Sequence, residues 1–204
     1  MCTAQCSTPR CCILSLTYEI ELPMGRECAS ALQCGDSVSL SGVLYTARDA
    51  AHERLARLIA EGGALPFELD GATIYYAGPT PPRPGQAIGS AGPTSAYRMD
   101  AYTPVLLRHG LRAMIGKGGR SAEVAEAMRE AGAVYLSAVG GTGALLGERV
   151  TASEVIAFPE LGAEAVFRLT VKNFPAYVVI DAKGGNLYSE GPAAYLKSSP
   201  RRDG

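Results

Sequence analysis

SVSLSGVLYTARDAAHERLARLIAEGG, residues 37–63, decides the fold. Its first half alternates Val38, Leu40 and further apolar side chains with small or polar ones, and its β-branched and aromatic members predict a strand. Asp49 then stands where an N-cap is expected, and Ala51, Leu55, Leu58 and Ile59 recur at helical spacing until Gly62-Gly63 ends the run. Arg54, Arg57 and Glu61 fall on the water-facing side. A strand passing directly into an amphipathic helix is the repeating unit of an α/β protein.

The same alternation continues downstream. ATIYYAG (72–78) reads as a strand ending in the loop TPPRPG, and a helix is expected after SAGPTSAYRMD (90–100). RAMIG (112–116) is too short for a helix and reads as a buried strand. Ser121 caps a helix with Val124, Ala127, Met128 and Ala131 on its core face, and AVYLSAVGG (133–141) runs from strand into a Gly-rich turn. The last third predicts three strands, EVIAF, VFRLTV and AYVVIDA, separated by the ELGAEA turn and by Asn173-Phe174-Pro175, with a turn at Lys183-Gly184-Gly185. Upstream, the run from Tyr18 to Leu22 is broken by Pro23-Met24-Gly25. The fold class is α/β: one domain with a mixed sheet, in β/β/α layers. At 204 residues such a domain buries roughly 70% of its unfolded surface. Residues 1–17 read as a cysteine-rich tail, 18–192 as the domain and 193–204 as a C-terminal tail.

Nineteen Lys and Arg against twenty Asp and Glu leave no net field to attract a polyanion, so no nucleic-acid partner is expected. The N-terminus MCTAQCSTPRCC has no basic n-region or apolar h-region, and no apolar run approaches the length of a membrane span. The expectation is a cytoplasmic protein without a membrane partner. Thiols stay reduced there, so Cys2, Cys6, Cys11, Cys12, Cys28 and Cys34 form no disulfide framework. Their spacing matches neither zinc nor iron–sulfur patterns, so no metal ligands are assigned and the N-terminal thiols read as free groups on an extended arm.

Five segments carry polar groups that a core does not require. In TARDAAHERL, Arg48 closes a strand just before a helix whose free N–H groups favour an anion, and His52 lies one turn further on. The bland alternative is a surface ion pair with Asp49 or Glu53 and a His satisfied at the helix edge. In AGPTSAYRMD, a tight turn exposes Thr94 and Ser95, and a helix starting there puts Arg98 on the face of Thr94, which suits a carboxylate. An ordinary N-cap followed by a solvated Arg reads equally well. The remaining segments are AGPTP (77–81), IGKGG with Lys117 after a buried strand, and VGGTGAL (139–145). Leu111 and Gly118 exclude a P-loop, and Leu146 in place of Gly excludes the dinucleotide fingerprint. His109, beside Gly110 at an apparent helix end, is assigned to terminal carbonyls.

Taken in order, TARDAAHERL, AGPTP, GPTSAYRMDAYTP, GKGGRS, AVGGTGAL and NFPAYVVIDAKGGNLY resemble the β-subunit or C-terminal domain of class I fumarate hydratases, a pattern shared with L-tartrate dehydratase β-subunits. The resemblance covers roughly residues 35–190. It implies a swivelling β/β/α domain that closes on an α-subunit carrying a [4Fe–4S] cluster, whose open iron is the Lewis acid for a small dicarboxylate substrate. Carried over by motif, it makes Thr94 the base at the carbon that exchanges a proton, and Arg48, Ser95, Arg98 and Lys117 the holders of carboxylate oxygens. His52 takes an acid–base or orienting role.

The implied activity is hydro-lyase, reversible hydration of fumarate to L-malate, exerted only with the partner. Tyr97, Gly119 and Thr142 depart from the fumarase pattern and leave L-tartrate or another hydroxy-diacid open as substrate. From another class, a non-catalytic dicarboxylate-binding module also remains open.

Overall fold

The computed structural model describes residues 3–4 and 17–198. The elements run β1 (Thr3–Ala4), β2 (Thr17–Leu22), α1 (Arg26–Ala31), β3 (Ser37–Thr46), α2 (Asp49–Ala60), β4 (Thr73–Tyr75), α3 (Thr103–Arg108), β5 (Ala113–Gly116), α4 (Ala122–Ala131), β6 (Val134–Ser137), α5 (Gly143–Gly147), β7 (Val150–Ala157), β8 (Val166–Ile180) and α6 (Leu187–Ser198), with 3-10 turns at Ala96–Met99 and Pro159–Glu164. The fold is α/β with a mixed sheet, as the sequence predicts. Strands β2 to β6 pair in parallel in sequence order, and β8 runs antiparallel to both β6 and β3. The additional β3–β8 pairing closes β3, β4, β5, β6 and β8 into a ring, with β2 and β7 as outlying strands.

Closure explains why successive strand residues enter two different cores. Leu40, Leu44, Tyr75, Ile115, Leu136, Leu169 and Val178 point into the ring. Ile74, Tyr76, Met114 and Tyr135 point outward and are covered by Leu55 of α2, Leu106 of α3, and Val124 and Met128 of α4. Tyr75 and Tyr76 are adjacent in sequence and both fully buried, one in each core.

Several expectations are corrected by this geometry. Asp49 is the first residue of α2, and Arg48 occupies the N-cap position without a side-chain cap. No helix passes through Thr94 and Arg98: the chain there is a ladder residue followed by the Ala96–Met99 turn, and α3 starts only at Thr103. VFRLTV and AYVVIDA are one 15-residue strand. Asn173 adopts φ 52°, and its N–H bonds Ser41 Oγ at 3.1 Å, so the strand bends past Pro175 while β3 absorbs a register shift between Leu40 and Gly42. The Ser121 cap stands, its Oγ accepting from Val124 N, and His109 Nδ1 bonds the Val105 carbonyl as assigned.

Candidate functional site

Parallel strands β3, β4 and β5 all end on the same edge of the ring, and the segments that leave them carry the polar groups. Arg48 follows β3, Tyr76 and Gly78 follow β4, and Lys117 follows β5. This is the carboxyl edge of the parallel strands, where open α/β sheets place their ligands.

A charged row forms beside β3. Arg48 Nη2 lies 3.0 Å from Glu164 Oε1, Arg48 Nε lies 4.0 Å from Asp49 Oδ1, and Arg98 Nη2 donates to Asp49 Oδ2 at 2.6 Å. Arg48 Nε and Asp49 Oδ1 are themselves buried without a hydrogen-bond partner. Gly78 makes the close fit possible. A Cβ there would stand 2.8 Å from the Ala163 carbonyl and 3.4 Å from Arg48 Nη1.

Under the row lies His52, fully buried. Its Nδ1 is 2.9 Å from the Arg48 carbonyl, which only accepts, so Nδ1 carries the proton and Nε2 holds a bare lone pair. That Nε2 is buried without a partner. Burial pushes the imidazole down to about 4, against the pull of the Arg48 carbonyl and helped by the charge of Arg120. His52 is therefore neutral near pH 7, and its position suits the orienting half of the role assigned to it.

Thr94 and Lys117 form the second group. Thr94 N and Oγ1 both donate to the Tyr76 carbonyl, at 2.7 and 2.8 Å. Ser95 bridges Lys117 in parallel register, with Lys117 N donating to the Thr94 carbonyl at 3.2 Å and Ala96 N to the Lys117 carbonyl at 2.9 Å. Lys117 is exposed and has no ion pair among the described residues, whereas Thr94 and Ser95 are half-buried. Tyr76 joins the two groups: its carbonyl holds Thr94, and its ring meets the His52 ring edge to face at 5.2 Å.

The structure thus brings Arg48, His52 and Arg98 into one cluster and Thr94, Ser95 and Lys117 into another, with Tyr76 between them. Sequence reasoning missed Tyr76, Asp49 as the carboxylate between the two arginines, Glu164 and the buried Arg120. Asp49 and Arg120 stand inside the motifs TARDAAHERL and GKGGRS, which is the signal the sequence held for them.

Clefts also open elsewhere on the molecule. One of about 420 Å³ between β2 and α1 is lined by Ile20, Glu21, Pro23 and Cys28 among others, with no facing cation. Among the described residues no three His, Cys, Asp or Glu side chains converge on a metal-sized point. Cys34 is a free thiol, and burial, reinforced by Asp181, pushes it up to about 12, so it is not a thiolate. The described residues therefore do not fit an iron–sulfur cluster. Cys2, Cys6, Cys11 and Cys12 lie outside them.

Residues 14–191 match the family model described as the fumarase C-terminus. The chain belongs to that family. It is 40% identical over 180 residues to fumarate hydratase 2 of Leishmania major, covering 86% of this chain and 32% of the relative. It is 40% identical over 155 residues to the anaerobic class I fumarate hydratase of Escherichia coli K12, covering 75% and 28%. The fumarase C-terminus chain thus spans about a third or less of these fumarate hydratases. A protein of Methanocaldococcus jannaschii, named provisionally as an L(+)-tartrate dehydratase subunit beta, is 38% identical over 165 residues, with 78% of this chain and 85% of the relative covered. No helix among the described residues is long and apolar enough to cross a membrane.

Proposed function

We propose that this chain is the β-subunit of a heteromeric class I hydro-lyase that interconverts fumarate and L-malate in the cytoplasm, with the active site completed by an α-subunit. The subunit reading is supported by the relative named as an L(+)-tartrate dehydratase subunit beta, 85% of which the match covers. Three apolar side chains support a partner, since Tyr97 on the Ala96–Met99 turn, Val139 after β6 and Leu145 in α5 are 69%, 53% and 46% exposed. The α-subunit holds the [4Fe–4S] cluster, which supplies Lewis acidity toward the substrate's hydroxyl and carboxylate.

The observation that carries the reading is the Thr94 hydroxyl. Its hydrogen is directed at the Tyr76 carbonyl, on a ladder whose other rail bears Lys117. Breaking the C–H bond beside a carboxylate builds negative charge on that carboxylate, and Arg48, Arg98 and Lys117 stabilise the charge more as it develops. In dehydration Thr94 takes the proton as an alkoxide, having released its own hydroxyl proton to bulk water and given up its bond to the Tyr76 carbonyl, and it returns the proton in hydration. Ser95 adds a hydroxyl donor to a carboxylate oxygen. His52, which has no exposed surface, orients Arg48 through its carbonyl.

L-Tartrate is the second substrate reading, brought in by the name of the relative called an L(+)-tartrate dehydratase subunit beta. Turnover of fumarate, L-malate and L-tartrate by the reconstituted pair separates the two. A tenfold preference in kcat/KM for the C4 acid lacking the second hydroxyl supports fumarate, and the reverse preference assigns tartrate.

A further inference from the structure

We infer that Arg120 is a positioning residue that sets Thr94 and Lys117 against each other, acting through Tyr76 and the turn at 117–121. Its consequence for kinetics rests on the hydro-lyase reading; its consequence for backbone order does not.

The Arg120 side chain has no exposed surface. Nε donates to Asp100 Oδ1 at 2.7 Å, Nη1 to the Tyr76 hydroxyl at 3.0 Å and Nη2 to Thr103 Oγ1 at 2.7 Å. The guanidinium lies 5.3 Å from the ring centroids of both Tyr76 and Tyr135. Asp100 Oδ2 accepts from Ser121 N at 2.7 Å, and the Tyr135 hydroxyl donates to the Gly118 carbonyl at 3.0 Å, so both ends of the Lys117 turn are fastened to the same cage. One cation ties together the end of β4, the segment after Thr94, the start of α3, strand β6 and the turn that bears Lys117.

Apolar side chains would fill this volume without the penalty of desolvating a charge. What only a guanidinium supplies is a rigid plane of donors that fixes three acceptors at once. Neither the Arg120 side chain nor the Tyr76 side chain touches solvent, so neither meets a substrate. The influence passes through the Tyr76 carbonyl, which fixes the Thr94 hydroxyl, and through the turn, which fixes Lys117 by its two backbone bonds to the Thr94–Ala96 rail.

Two variants test this. Arg120→Lys keeps the charge and loses the fork, and Tyr76→Phe removes one hydroxyl. In the full chain by itself, both are expected to speed hydrogen exchange at the Thr94, Ala96 and Lys117 amides about tenfold, while amides of the β3–β8 ladder keep their rates. In complex with the α-subunit, Arg120→Lys is expected to lower kcat about 30-fold with KM within about twofold, because misplacement by less than an ångström penalises the reaction more than binding. A folded Arg120→Lys protein with unchanged exchange and unchanged kcat overturns the inference. Exchange that rises equally along the β3–β8 ladder also overturns it, since Arg120 would then be a residue of general stability. If Arg120→Lys does not fold, Tyr76→Phe decides by the same two readings. An unaltered complex that turns over no dicarboxylate overturns the hydro-lyase reading instead, and the exchange measurement then decides on Arg120 alone.

Discussion

Asp49 Oδ2 accepts a hydrogen bond from Arg98 at 2.6 Å across 49 residues of sequence. Its other oxygen faces Arg48 Nε at 4.0 Å without a hydrogen bond, so one carboxylate stands between the two arginines proposed to hold the substrate. The pair is partly exposed, and its loss costs about 1 kcal/mol or less of stability. Binding depends on it more strongly. Asp49→Ala is expected to raise KM for the dicarboxylate about tenfold, because Arg98 must then be ordered by the ligand itself and Arg48 keeps Glu164 alone. Steady-state kinetics with a thermal melt checks both parts, and an unchanged KM contradicts this ordering role.

His52 gives the protein an acid-sensitive window. Unfolded, it takes up a proton near pH 6.5; folded, burial holds it down to about 4. Between these values the unfolded chain binds more protons, so stability rises with pH and is lost as pH falls from about 6.5 to 4, by about 3 kcal/mol at most. Urea unfolding of His52→Gln at pH 7, 5.5 and 4.5 is expected to show a flatter dependence than the unaltered chain. Equal slopes would place the imidazole in water.

Gly78 is a test of close approach. A methyl group there meets the Ala163 carbonyl at 2.8 Å and Arg48 Nη1 at 3.4 Å, so Gly78→Ala must push back the Pro159–Glu164 turn that delivers Glu164. The expected cost is about 1 to 3 kcal/mol in stability, with a raised KM from the displaced Arg48. A melt unchanged within a degree contradicts the fit.

Much of this was legible in the sequence because chain order and strand ends coincide with it. The 37–63 stretch gives β3 and α2, and RAMIG and AVYLS give β5 and β6, whose flanking glycines mark where the backbone must turn. Arg48 and Lys117 stand out as cations directly after buried strands. What stayed hidden depends on contacts made across the fold. Tyr76 reads as an apolar strand residue, and nothing local shows that its carbonyl holds Thr94. Arg120 stands beside two glycines and before a helix cap with nothing local to mark it as buried, yet Asp100 and two rings draw it inside. The continuity of β8 was masked by Asn173-Phe174-Pro175, since only pairing with β3 and β6 shows that the bend does not end the strand.

Thr94→Ala and Lys117→Ala are expected to fail differently. Losing the proton-transfer group should cost about 10²- to 10⁴-fold, mainly in kcat. Losing Lys117 should also raise KM, as a charge-assisted bond of roughly 1.5 to 3 kcal/mol is removed from a carboxylate. Neither side chain lies in a core, so both variants should keep the unaltered circular dichroism. Near-normal kcat in Thr94→Ala would transfer the proton step to the partner and leave Thr94 as a carboxylate ligand.

The most direct test of the central claim is fumarate hydration by this chain alone, by the cluster-loaded α-subunit alone and by the two mixed, with iron and sulfide measured on each. Activity is expected only in the mixture, with the iron on the α-subunit and the isolated chain folded and colourless. Stoichiometric iron on this chain by itself, or a loaded mixture inert toward fumarate, L-malate and L-tartrate alike, would contradict the account.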